Sequence, residues 1–182
     1  MRFTAVFAIM LTSFLACKQE QSPKPEVSDE IEFRIDSSYF DFAVKDTFHN
    51  IILPALKNWN QKKIENSGLE KDSYLLIQDS LNVAIIVSSH NRRRPNSYGY
   101  YQNLIQEDKL NMEVLDLSNF LKDRTKLTQV IMKNENQVIF KIIYDNDQSS
   151  DELDIFVDKA DYNEKNILLV ESVIGQIDFL NS

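Results

Sequence analysis

The sequence predicts an α+β domain with a mainly antiparallel sheet, built from hairpins and packed by helices that include one at the C-terminus. Three observations carry this expectation. Apolar runs come in pairs around short polar turns: Tyr74 to Gln78 with Val83 to Ser88, and Leu127 to Lys133 with Val138 to Tyr144. Such pairs read as β-hairpins. Within the second pair, Val138, Phe140, Ile142 and Tyr144 point one way while Ile139 and Ile143 point the other, with Lys141 between. A strand apolar on both faces is a central, covered strand. Near the end of the chain, Ile167, Val170, Ile174 and Ile177 recur at steps of three and four, the stripe of an amphipathic helix. Runs of strands broken by helices, without strict βαβ alternation, give an α+β architecture.

The elements follow in order. Ile31, Phe33 and Ile35 alternate with polar residues, as in a short edge strand. Phe48 to Leu53 is apolar and meets Pro54; it suits a strand, yet Phe48, Ile52, Ala55 and Trp59 also fall at helical spacing, and Pro54 suits the first turn of a helix starting there. Both readings stand at this stage. Residues 89–99 form a polar loop containing Arg92, Arg93, Arg94 and Pro95, followed by a helix over Tyr98 to Asp108. Ser118 to Arg124 reads as a short helix with Ser118 as its N-cap. Asn134-Glu135-Asn136 turns the second hairpin, and Leu153 to Val157 is a strand with Leu153, Ile155 and Val157 on one face. The last helix spans Tyr162 to about Phe179, with Asp161 and Glu164 at capping-box spacing. Leu168 and Val173 widen its stripe, and Ile174 is expected near the middle of its contact with the sheet.

Two segments precede this domain. Residues 1–16 carry one positive charge at Arg2, then an apolar run from Phe3 to Ala16. That is the order of a secretion signal. The run is 14 residues long, against roughly 20 for a bilayer-crossing helix. Residues 17–36 are rich in proline, serine and charge, a flexible tether. A single globular domain follows over 37–182.

Leu15-Ala16-Cys17 resembles the lipobox of bacterial lipoproteins, although Phe14 stands where that family favours Leu or another aliphatic residue. The resemblance implies that the cysteine is lipidated and that the leader is cut before it, leaving Cys17 as a lipid-carrying first residue. Cys17 is the only cysteine, so it has no disulfide partner. Lys18, rather than Asp, follows it, which in the enteric lipoproteins this resembles leans towards the outer membrane, on its periplasmic face or at the cell surface. The Ile51-Ile52-Leu53-Pro54 segment with Trp59 beyond, the two hairpins, and the Asn166-Ile167-Leu168-Leu169-Val170 helix together resemble the PsbP-like fold, which includes DcrB-like bacterial lipoproteins. That resemblance would cover most of residues 40–180, and it implies a non-enzymatic binding or accessory role.

Composition narrows the function. The chain has 20 basic and 28 acidic residues, and loss of the leader removes only Arg2, leaving a net charge of −9. An acidic surface argues against nucleic acid as a partner and against electrostatic docking on anionic lipid. Glycines are confined to Gly68, Gly99 and Gly175, too few for a glycine-rich phosphate loop. No cofactor is expected. Asp145, Asp147, Ser149 and Asp151 alternate as the oxygen ligands of a calcium loop do, but Ser150 stands where such a loop needs glycine and Phe156 where it needs glutamate. The favoured reading is a solvated acidic turn, so no metal site is expected. Arg92-Arg93-Arg94 reads as a solvated loop before it reads as a carboxylate or phosphate grip. His49 and His90 lack ligand-spaced neighbours. Ser88-Ser89-His90 lacks a nucleophile turn. Tyr98, Tyr100 and Tyr101 line a core, or else form an exposed recognition patch. Two functions remain: a lipid-anchored envelope binding or accessory protein, of immunity or complex-assisting type, held to the membrane by Cys17 and meeting a protein partner; or an envelope hydrolase with an unrecognised site.

Overall fold

The computed structural model describes residues 31–65, 72–91, 96–147 and 149–180. The leader, Cys17 and Arg92–Arg94 lie outside them. Among the described residues are ten strands and two α-helices: β1 (Phe40–Phe48), β2 (Ile51–Leu56), β3 (Asn60–Ile64), β4 (Ser73–Gln78), β5 (Val83–His90), α1 (Ser97–Gln106), β6 (Glu113–Lys122), β7 (Thr125–Lys133), β8 (Gln137–Asp145), β9 (Ser150–Asp158), α2 (Glu164–Gln176) and β10 (Asp178–Phe179). Seven strands form a sheet in the order β3-β4-β5-β9-β8-β7-β6, and three form a second sheet in the order β1-β2-β10. Every pairing is antiparallel. The α+β expectation is met.

Both expected hairpins form. Between β4 and β5, Gln78 pairs with Val83 around a 3-10 turn that ends on Asn82 in the left-handed region, at φ 49°. Between β7 and β8, the Asn134 side chain accepts from the amides of Asn136 and Gln137, both at 2.8 Å. This Asx turn is why a polar triplet suffices there.

The large sheet buries both faces over β8, as its two-sided apolar pattern requires. On one face, Val138, Phe140 and Ile142 join Leu169, Val170, Val173 and Ile174 of α2, with Phe40, Phe48, Ile51 and Leu53 of the small sheet. On the other, Ile139 and Ile143 join Val130, Met132 and Tyr101 of α1.

The open choice over 48–59 resolves as strands, with Phe48 ending β1 and Ile51 starting β2. A proline inside a sheet belongs beside a bulge, and Pro54 pairs with Lys45 where β1 bulges. The helix expected over Ser118 to Arg124 does not exist; residues up to Lys122 belong to β6. Seven residues are too few to hold a helix by themselves, whereas pairing from Glu113↔Lys133 to Lys122↔Thr125 satisfies the backbone. The Ser118 hydroxyl donates to Asp116 at 2.8 Å instead of capping a helix.

The C-terminal helix is shorter than expected. Its N-cap is Asn163, whose side chain accepts from the Asn166 amide. Asp161 lies in a preceding 3-10 turn and accepts from Asn82 at 2.6 Å. Val170, Val173, Ile174 and Ile177 are buried as anticipated, but Leu169 completes the stripe, with Ile167 and Leu168 only half-buried.

Residues 31–36, the end of the expected tether, lie as a strap along α2 rather than in a strand. Phe33 meets the Phe120 ring edge-on at 5.7 Å. The Asp36 amide donates to Ser172 Oγ at 2.9 Å, and Arg34 donates twice to Glu171, at 2.6 and 3.1 Å. Gly175 seats the strap: a Cβ there would lie 2.8 Å from Phe33 Cβ and would also strike Ile35.

Candidate functional site

The β8–β9 turn holds the chain's most conspicuous acidic run, and it is not the solvated turn the sequence suggests. Asp145 accepts from the Ser97 amide at 3.0 Å, from Ser97 Oγ at 2.9 Å and from Ser150 Oγ at 2.6 Å. That carboxylate pins the first residue of α1 to the sheet. Asp151, fully buried, accepts from Asn50 at 2.7 Å and from Asn146 and Ser149 at 3.3 Å each. It ties the β1–β2 turn to the sheet. Asp145 continues the face of Lys141 and Ile143, whereas Asp151 pairs with Ser89 and Tyr144 on the face of the main core. Side chains on opposite faces of one sheet do not share an ion. Asp147 is exposed in the turn. Among the described residues no three His, Cys, Asp or Glu side chains gather to hold a metal.

A second cluster lies on the α1 side of the sheet, and sequence reasoning missed it. Lys141 Nζ sits 2.6 Å from Glu152 and 2.7 Å from Asp154, with only 11% of its side chain exposed. The cross-strand pairing of Lys141 with Asp154 and of Ile143 with Glu152 sets this geometry. His90 Nε2 lies 3.6 Å from Glu152. Burial works to depress the Lys141 ammonium, but the charges of Asp154 and Glu152 overcome it and hold the group above its ordinary value. Burial raises the Asp154 carboxyl; Lys141 opposes that and Glu152 adds to it. Two carboxylates share one ammonium, and Asp154 holds its proton more readily than an ordinary aspartate does. An ammonium locked in this way remains charged and is neither a nucleophile nor a base at neutral pH. The arrangement works as a cross-strand tie.

The remaining candidates disperse. His49 Nε2 approaches the Asp72 carbonyl at 2.6 Å, while His90 belongs to the Lys141 cluster. Ser88, Ser89 and His90 lie on the regular strand β5, with Ser89 buried towards the main core. Tyr101 is buried in the second core and Tyr100 is exposed, so the tyrosines divide between the two expectations. A shallow cavity beside Asp145 is lined by Asn96, Lys126, Thr128 and Ile143.

A furrow lies between the strap and the small sheet. Ile31, Phe33, Ile35 and Leu121 line one part, Phe42, Pro54 and Ile177 the other, and both parts share Lys122, Asp123 and Gly175.

No family model matches the chain, and no curated protein does. Solved structures do. The solution structure of cyanobacterial PsbP (CyanoP) from Synechocystis aligns with a TM-score of 0.56 at 7% identity, covering 75% of this chain and 91% of that one. A Pseudomonas aeruginosa protein of unknown function, PA94, described as a putative regulator, aligns at 0.44 with 10% identity over 76% of this chain and 98% of that one. A Bacteroides thetaiotaomicron crystal structure aligns at 0.36 with 14% identity over 72% and 46%. The CyanoP alignment spans most of both chains, and on it the domain has a PsbP-like α+β fold.

Proposed function

We propose that the protein is a lipid-anchored, non-catalytic binding or accessory protein of the cell envelope, held through Cys17 at the outer membrane. One observation carries the non-catalytic part. The polar side chains that the fold gathers are engaged in holding elements together: Asp145 on Ser97 and Ser150, Asp151 on Asn50, and Lys141 on Glu152 and Asp154. A catalytic constellation needs groups aimed at a place where a reacting atom can sit; these aim at one another. The anchor rests on the 14-residue apolar leader and on Leu15-Ala16-Cys17. The PsbP-like fold supports an accessory role through the resemblance already drawn from the sequence.

The test is fractionation. Wild-type protein is expected in the membrane pellet, and Cys17→Ala in the soluble fraction. Crosslinking in the native envelope is expected to recover a protein partner with the wild type in a fixed ratio. Wild-type protein found wholly in the soluble fraction would overturn the anchor.

A further inference from the structure

We infer that the bulge of β1, together with the strap, forms a second membrane contact that inserts apolar side chains into the lipid interface. The inference rests on the lipid anchor for its geometry. Between Asp41↔Ala55 and Lys45↔Pro54, β1 advances four residues while β2 advances one. The three extra residues are Phe42, Ala43 and Val44, and all three are exposed. Edge strands are ordinarily blunted with charge, and β3, at the edge of the large sheet, follows that rule with Lys62 and Lys63. The bulge does the reverse, presenting Phe42 at 50% and Val44 at 47% exposure. Phe42 is braced against Phe40, with ring centroids 5.6 Å apart.

Across the furrow stand Ile31 and Ile35, 38% and 41% exposed. Three of the nine large apolar side chains exposed among the described residues, Ile31, Ile35 and Phe42, therefore line one furrow, and Val44 is exposed on the same bulge as Phe42. Clustering of this kind marks a contact surface rather than scattered surface apolarity.

Chain length selects the bilayer as occupant. Ile31 lies 14 residues beyond Cys17. That span reaches at most about 50 Å. A lipid on Cys17 thus holds the Ile31 side of the domain next to the membrane, whereas a protein partner could approach any face. The rim carries Lys45 and Lys122 beside Glu32, Asp123 and Asp178, and the chain is acidic overall. A mixed rim suits a zwitterionic surface better than an anionic one.

The experiment supplies the anchor chemically, so that it stands apart from natural lipidation. Residues 17–182 are coupled through Cys17 to maleimide-bearing phosphatidylethanolamine in phosphatidylcholine vesicles whose acyl chains are brominated. Trp59→Phe removes the native tryptophan, and Phe42→Trp or Glu135→Trp places a reporter. Glu135 lies in the β7–β8 turn, at the end of β7 opposite the β6–β7 turn that borders the furrow. Denaturation midpoints in solution verify that each variant is folded. The tryptophan at position 42 is expected to shift to the blue and to be quenched by the brominated lipid, and the one at 135 to do neither. Adding Val44→Ser and Ile35→Ser to Phe42→Trp is expected to reverse much of the quenching. Equal, unquenched, water-like emission at both positions would overturn the inference and leave the bulge to a protein partner. Absence of natural lipid on Cys17 would overturn the anchor and leave the vesicle result intact.

Discussion

Lys141 shows how a single residue can be misjudged locally and decided by pairing. In the sequence it interrupts an otherwise apolar strand. In the fold it lies between Glu152 and Asp154, at 2.6 and 2.7 Å. Replacing it with Met leaves two buried carboxylates facing each other, and the expected cost is about 3–5 kcal/mol, read from urea denaturation. The pH response follows from Asp154. Its folded pKa is raised, so the folded state binds that proton more tightly than the unfolded chain does. The stability linked to it is complete below the unfolded value of 3.8 and is lost as pH rises through the folded value. Asp154→Asn removes this dependence. The stability of wild type relative to Asp154→Asn is therefore expected to increase on acidification from neutral pH towards the unfolded carboxylate range; a difference independent of pH would refute the assignment. None of this cluster was legible beforehand, because positions 141, 152 and 154 come together only through the β8–β9 register. Gly175 was equally opaque: the sequence runs the last helix past it, and only the fold shows that it admits Phe33 and Ile35. Gly175→Ala is expected to speed hydrogen exchange at the Asp36 amide, which the strap holds on Ser172.

At the scale of elements, α2 carries the clearest energetic statement. Ile174 is 2% exposed within the main core, and Ile174→Ala should cost about 2–5 kcal/mol through lost burial and a residual cavity. Equal denaturation midpoints for variant and wild type would mean that the helix is not packed on the sheet. Glu171, which reads from sequence as an off-stripe surface residue, holds Arg34 of the strap. Glu171→Ala is expected to loosen the strap locally while leaving the global midpoint near that of wild type, since exposed ion pairs contribute little. The hairpins and the two-sided strand β8 were legible because period-two alternation and Asx-turn residues are local signals. The β6 segment was misread because Ser118 offers a local capping signal, while the pairing that overrides it comes from β7. The calcium-like spacing of 145–151 failed for a related reason. Residues two apart share a face only along an unbroken strand; here the turn reverses the chain, and the pairing of Asp145 with Ser150 and of Tyr144 with Asp151 puts the two carboxylates on opposite faces.

For the whole molecule, the turn at Asp145 and Asp151 acts as a junction. Through Ser97 it holds α1, and through Asn50 it holds the small sheet. A calcium ion would add stability only by binding the native state, so thermal melts with calcium and with chelator are expected to coincide; a calcium-dependent rise lost in Asp147→Ala would contradict the structural role. The PsbP-like core, the strap along α2 and the furrow beside it make up the described domain, and the proposed function depends on its attachment to lipid through Cys17. Its most direct test is the intact mass of the protein extracted from its native membrane with detergent. The account predicts a chain that begins at Cys17 and carries the added mass of a diacylglyceryl group, lost in Cys17→Ala. An unmodified mass, or a first residue other than Cys17, would contradict it.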